Sequence, residues 1–85
     1  MKIIWDSEAW TDYVAWQSED KKTVKRINAL IKDIMSNGAL KGKGKPEHLK
    51  YDLSDWYSRR IDETNRLVYR IKEDSLIIVQ CREHY

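Results

Sequence analysis

Four lysines, Lys41, Lys43, Lys45 and Lys50, fall within ten residues around a single acid, Glu47. Such a cluster attracts a polyanion and makes binding depend on salt. The competing reading is a solvated loop. Five arginines follow at positions 59, 60, 66, 70 and 82. A guanidinium fork suits two phosphate oxygens at once. Pairing with Asp52, Asp55, Asp62 or Glu63 would instead commit that charge to structure, at ~0.2–1 kcal/mol per surface pair. Glu47 follows Pro46, and the surrounding cations favour its carboxylate form. It can serve as a general base or simply balance charge. The two histidines, His48 and His84, can exchange a proton near neutral pH. On residue chemistry alone either could be an acid, and either could be an ordinary surface histidine. One reaction uses all of these groups. RNA cleavage needs a base for the 2′-OH, cations on the phosphate and an acid for the leaving 5′-oxygen. No P-loop, CxxC pair or zinc-ligand spacing competes. Tyr85, Tyr57 or Trp56 could stack on a splayed base.

These groups need a scaffold, and 85 residues with 41% apolar content allow one small core. Lys2–Trp5 reads as a short strand. Asp6 and Ser7 are both N-cap types, and the spacing of Ala9, Trp10, Tyr13, Val14 and Trp16 predicts a helix over 7–19. Asp20 can cap a second helix over 21–36, whose stripe is Val24, Ile27, Leu30, Ile31, Ile34 and Met35. Asn37-Gly38 supplies a left-handed stop. Residues 38–50 hold all three glycines and the one proline, and read as a basic loop. Three strand-like runs follow at 57–61, 66–71 and 76–81. Alternation in the middle run sets Leu67, Tyr69 and Ile71 against Arg66, Val68 and Arg70. The expected fold is a single α+β domain spanning 1–85, β-α-α-β-β-β, with an antiparallel twisted sheet and both helices on one face. Register between the first two runs of the meander stays open. An even-numbered loop puts Ile61 opposite Arg66, and an odd-numbered one puts Arg60 there.

Charge is unevenly shared. Residues 1–37 carry six basic and six acidic groups, and residues 38–85 carry ten and eight, so the second half holds the whole +2. That balance excludes a histone-like basic protein. The single cysteine, Cys81, cannot form an internal disulfide, which favours a reducing compartment. No run approaches the ~18 apolar residues of a membrane span, and the start lacks a signal-peptide core. A soluble cytoplasmic protein is expected.

The segments GKGKPEHLKYDLS, WYSRRIDETNRLVYRI and IIVQCREHY resemble the YoeB toxins, of the RelE/ParE superfamily of type II toxin–antitoxin systems, and the N-terminal half fits as well. The resemblance implies a compact RelE-like fold and a ribosome-dependent mRNA endoribonuclease acting in the A site of the 70S ribosome. It makes Glu47 the general base, His84 the general acid and Arg66 the arginine on the scissile phosphate. Lys50 and Arg60 would be cationic groups around that phosphate, and Tyr85 would shape the site. Lys41, Lys43 and Lys45 of the basic loop would face ribosome or RNA. It also implies products with a 2′,3′-cyclic phosphate and a 5′-OH, no cofactor or metal, a YefM-like antitoxin that disrupts the site, and a homodimer. Three positions depart from the family pattern: His48 where Pro is common, Asn65 where His is frequent, and Glu83 where Tyr is common. A non-catalytic RNA- or ribosome-binding module would use the same cations without Glu47 or His84. A protein-interaction role would instead rest on Trp5, Trp10 and Trp16.

Overall fold

A computed structural model of the chain describes residues 1–49 and 55–83. Lys50, His84 and Tyr85, three of the sequence-derived site residues, lie outside the described residues. The elements are β1 (Lys2–Trp5), α1 (Ser7–Glu19), α2 (Lys21–Asn37), β2 (Glu47–His48), β3 (Trp56–Arg60), β4 (Arg66–Lys72) and β5 (Ser75–Gln80).

Asp20 alone separates the helices. Its backbone is extended, and its carboxylate accepts from the Lys22 N–H and the Thr23 hydroxyl, capping α2 as its residue type predicts. At the α1 start, Asp6 takes the N-cap position without a side-chain cap bond. The stripe on α2 buries Ile27, Leu30, Ile31 and Ile34, and leaves Met35 exposed. Gly38 ends the helix at φ 92°, ψ −176°. This is a positive-φ stop as expected, but in the extended region that glycine alone enters readily, rather than the left-handed helical one.

The sheet runs β1-β5-β4-β3-β2. Its meander, β3-β4-β5, is antiparallel as the alternation suggests. β1 pairs with β5 in parallel, so the sheet is mixed. That pairing joins segments far apart in the chain and leaves no trace in local pattern. Leu67 and Tyr69 of β4 and Leu76 and Ile78 of β5 pack with Ala9, Trp16 and the α2 stripe in one core. Arg59 and Tyr57 lie on this helix-facing side, because Arg59 pairs with Leu67 and Tyr57 with Tyr69. The opposite face carries Trp56, Ser58 and Arg60 beside Arg70, Val68 and Arg66. Tryptophans on α1 divide: Trp16 is buried and Trp10 is half exposed. Trp16 Nε1 donates to the Cys81 carbonyl at 3.0 Å, tying the end of β5 to α1. Burial pushes the Cys81 thiol up to about 12, which removes it from nucleophilic chemistry at neutral pH.

Candidate active site

The connection between β3 and β4 is residues 61–65, an odd number, and Arg60 is the cross-strand partner of Arg66. Asp62 sets this turn. Its Oδ1 accepts from the backbone N–H of Thr64 and Asn65 at 2.8 and 2.7 Å, and the Asn65 side-chain amide donates to both carboxylate oxygens. This side chain-to-backbone capture fixes the loop length and therefore the register. Two like-charged guanidinium groups directly opposite each other repel. An anion between them would relieve that repulsion, and among the described residues neither arginine has a carboxylate partner.

Glu47 is not on a free loop. It sits in β2, a two-residue strand at the sheet edge, with Ser58 as its cross-strand partner. Residues directly opposite point to the same face. Glu47, Ser58, Arg60 and Arg66 therefore share the face away from the helices. Ser58 is fully buried, and its Oγ accepts from Arg66 Nη1 at 3.4 Å, which steers that guanidinium along the strand toward Glu47's partner. Glu47 is exposed, and among the described residues no cation pairs with it. Nothing in the sequence singled out Ser58. Its signal was positional: a small hydroxyl two residues from Arg60 in a strand.

The remaining three arginines do structural work. Arg70 pairs with Asp55 at 2.9 Å. Arg82 lies over the Trp16 ring at 4.0 Å and pairs with Glu19 at 2.8 Å. Arg59 is fully buried and uses all five of its N–H donors. They go to Tyr69 Oη, Asp33 Oδ2 and the carbonyls of Lys43, Gly38 and Lys41. Tyr69 Oη donates its own proton to the Ala39 carbonyl at 2.6 Å. The basic loop is thus nailed down from inside, while Lys41, Lys43 and Lys45 remain exposed on its outer side. The Arg59–Asp33 pair joins β3 to α2 and was outside the acids considered from sequence.

Two glycines permit this close approach. A Cβ on Gly42 would lie 1.8 Å from Asp33 Oδ2, and Gly44 has φ +84° with Leu30 Cδ2 2.8 Å from its Cβ position. The Gly44 carbonyl also accepts from the Arg60 N–H at 2.7 Å. Gly44→Ala should therefore destabilise the fold by roughly 1–3 kcal/mol through backbone strain and overpacking. Urea unfolding with an unchanged midpoint would show that the loop relaxes freely.

Acid stability follows from three carboxyls held below the usual carboxylate range, one of them Asp55 beside the Arg70 guanidinium. The N–H of Lys43, then the guanidinium of Arg59, hold Asp33 below the usual carboxylate range. Burial alone would raise Asp62, but the Asn65 side chain and the turn's N–H groups outweigh it, and the net shift is downward. A carboxyl with a folded pKa below its unfolded value stabilises the fold above the unfolded pKa. That contribution disappears as pH falls through the folded value. Thermal unfolding should hold steady from neutral pH down to about 4 and decline below it. Asp33→Asn should lower stability at pH 7 and flatten the acid decline. If the Asp33→Asn protein kept the parental pH profile, the assignment of the decline to this carboxyl would be wrong.

The end of the described chain meets the same face. Gln80 Nε2 donates to the carbonyls of Arg82 and Glu83 at 2.8 and 3.2 Å. The Arg66 N–H donates to the Glu83 carbonyl at 3.0 Å, and the Glu83 N–H donates to Asn65 Oδ1 at 2.6 Å. Glu83 is therefore bound alongside Arg66. Of the sequence-derived site residues, Glu47, Arg60 and Arg66 come together on one face. The three loop lysines stand exposed on the segment that leads into β2, and Lys50, His84 and Tyr85 lie outside the described residues.

Residues 5–85 match the model of the YoeB-like toxin of bacterial type II toxin–antitoxin systems. Toxin YoeB of Escherichia coli K12 is 55% identical over 85 residues, with all of both chains covered. A YoeB/ParE toxin from Agrobacterium tumefaciens superposes with a TM-score of 0.95 at 41% identity, again with both chains fully covered. A Staphylococcus aureus YoeB solved as a dimer gives a TM-score of 0.94 at 47% identity, covering 100% of this chain and 98% of that one. The same relative, with the same coverage, has been solved in a heterotetrameric YoeB–YefM toxin–antitoxin complex, at a TM-score of 0.92. With the sequence matched nearly end to end and the fold reproduced over its whole length, the chain belongs to the YoeB family of type II toxin–antitoxin toxins.

Proposed function

We propose that this toxin is a ribosome-dependent endoribonuclease that cuts mRNA in the A site by general acid–base catalysis. The observation that carries the reading is the pairing of Arg60 with Arg66 on the face shared with Glu47, with no carboxylate partner for either arginine among the described residues. A phosphodiester supplies the anion that such a pair calls for. Glu47 takes the proton from the 2′-OH. The 2′-oxygen bonds to phosphorus, the P–O5′ bond breaks, and His84 delivers a proton to O5′. The products are a 2′,3′-cyclic phosphate and a 5′-OH. Arg66, with Arg60 and Lys50, stabilises the extra negative charge of the pentacoordinate phosphorus. Tyr85 contacts the substrate beside the acid. Base, cations and acid complete the proton and electron balance, so no cofactor enters.

Lys41, Lys43 and Lys45 face ribosomal or messenger RNA on a loop fixed from inside by Arg59. A rigid basic surface gives up less entropy on docking than a mobile one. The ribosome and mRNA place the action in the cytoplasm. No helix among the described residues is long and apolar enough to cross a membrane. The S. aureus relative assembles with YefM and as a dimer. By that likeness, a YefM-like antitoxin is the inhibitor of this toxin, and the toxin itself pairs as a homodimer. Brief induction followed by mapping of mRNA 5′ ends on ribosomes tests the reading. New 5′-OH ends at A-site codons are expected. Salt-dependent ribosome binding without new ends would favour a non-catalytic module.

A further inference from the structure

The even charge of residues 1–37 conceals a division between the two helices. α1 carries Glu8, Asp12 and Glu19 and no base. α2 carries Lys21, Lys22, Lys25, Arg26 and Lys32 and one acid, Asp33. That acid is committed to Arg59 and to the Lys43 N–H. Residues 21–45 hold eight basic groups against this one carboxylate, in a chain whose sum is +2.

The α2 cations stand where they weaken the helix. The amino end of a helix carries partial positive charge, so bases there are unfavourable. Four of the five fall in the first two turns, and the first turn holds no acid. Lys21 and Lys25, like Lys22 and Arg26, are four residues apart, and like charges at that spacing repel. Among the described residues none of the five has a carboxylate partner. The four lysines are exposed. The fold gains nothing from this arrangement, whereas an anionic partner would.

Position indicates the chemistry of that partner. Arg26 Nη2 donates to the Arg60 carbonyl at 3.2 Å, so one flank of α2 meets the end of β3 that carries the Arg60–Arg66 pair. Farther along the helix, Lys32 shares a groove with Lys43 of the basic loop. A cleft beside the β3–β4 turn, lined by Lys22 and Arg26, also holds Asp20 and Asp62, whose carboxylates cap α2 and set the turn. The outer side of α2 thus joins the arginine pair to the loop lysines. Continuity with a phosphate site favours RNA over an acidic protein segment.

We propose that the exposed face of α2 is a second RNA-binding surface, which takes the phosphate backbone of ribosomal RNA while Arg60 and Arg66 take the scissile phosphate of mRNA. This inference rests on the reading of the chain as a ribosome-dependent nuclease. Acidic α1 is repelled by the same backbone, so charge alone orients the toxin on its target.

Two double variants, Lys21→Gln/Lys22→Gln and Lys25→Gln/Lys32→Gln, test the surface. Lys2→Gln/Lys72→Gln removes equal charge at the end of the sheet away from Arg66 and serves as the control. Binding to 70S ribosomes is measured across a range of salt. Each helix pair should weaken binding about 10–30-fold at ~0.1 M salt and reduce the slope of log K against log salt by about 1–2, as expected for two lost phosphate contacts. Cleavage at saturating ribosomes should stay within about twofold of wild type. The control should change the slope by less than about 0.5. Lys21→Gln/Lys22→Gln should also melt about 2–5 °C higher than wild type, because unfavourable charge leaves the helix amino end. A lower melting temperature would mean that these lysines support the fold, and would count against the proposal. An equal loss of binding in the helix pairs and the control would reduce the effect to net charge and overturn it. Unaltered ribosome binding by both helix pairs, with A-site cleavage intact, would overturn it and leave the nuclease reading standing. Absence of ribosome binding by the wild type would overturn both. Unaltered ribosome binding with weakened binding of polyglutamate, a probe for an acidic protein partner, would assign the face to a protein and overturn the RNA assignment.

Discussion

Glu47→Gln should slow cleavage of ribosome-bound mRNA by about 10²–10⁴-fold, the usual contribution of a positioned general base. The substitution keeps the shape of the side chain but removes its capacity to accept a proton from the 2′-OH. Stability should hardly change. Glu47 is exposed, it has no ion pair among the described residues, and β2 is held to β3 through backbone groups, including the Leu49 N–H to the Trp56 carbonyl at 2.9 Å. The variant should therefore unfold within about 2–4 °C of wild type, since surface changes of this kind usually stay within about 0.5 kcal/mol. His84→Gln should show a loss of the same order on the acid side. Single-turnover rates on programmed ribosomes, read together with thermal unfolding, separate loss of chemistry from loss of fold. Undiminished cleavage by both variants would remove the acid–base mechanism.

The second large effect is on stability. Arg59→Met should cost about 3–5 kcal/mol, the range found when one partner of a buried ion pair is removed. The guanidinium is fully buried and supplies donors to Asp33, to Tyr69 Oη and to the three loop carbonyls of Gly38, Lys41 and Lys43. Methionine fills the volume and removes the guanidinium donors from Tyr69 Oη and the three loop carbonyls, leaving Asp33 only the Lys43 N–H and the Asn37 amide. For a domain of this size the melting temperature should drop by some 4–8 °C for each kcal/mol lost. Arg59→Lys should recover little, because an ammonium has at most three donors and lacks the planar fork. Even under conditions where these variants fold, the loop carrying Lys41, Lys43 and Lys45 loses its inner anchors. Ribosome affinity should then fall, because ordering the freed loop on docking costs entropy. An Arg59→Met protein with wild-type stability would mean that the network contributes nothing net.

How much of this was legible beforehand depends on how far each feature reaches along the chain. Local features were readable. The first strand and first helix fall where the apolar spacing puts them, the second helix starts at its Asp20 cap, and β4 splits its faces as its alternation requires. The parallel pairing of β1 with β5 was not, because it depends on contacts between distant segments. β2 escaped notice because two residues carry no periodicity. The choice between Arg60 and Ile61 as partner of Arg66 turned on loop length, which the Asp62 turn decides. Composition likewise counted five arginines as candidate phosphate ligands. Only packing shows that Arg59, Arg70 and Arg82 are committed to Asp33, Asp55 and Glu19. Asn65 was noticed for being unusual, and its physical role appears only with Glu83 placed against it.

Glu47 and the paired arginines, in this mechanism, cut RNA that the ribosome holds. Purified toxin mixed with programmed 70S ribosomes, followed by chemical analysis of the new mRNA ends, tests that claim most directly. Rapid A-site cuts are expected, carrying a 2′,3′-cyclic phosphate on one fragment and a 5′-OH on the other. Glu47→Gln should reduce them by about two orders of magnitude or more. Intact mRNA, or fragments ending in 5′-phosphate, would contradict the mechanism.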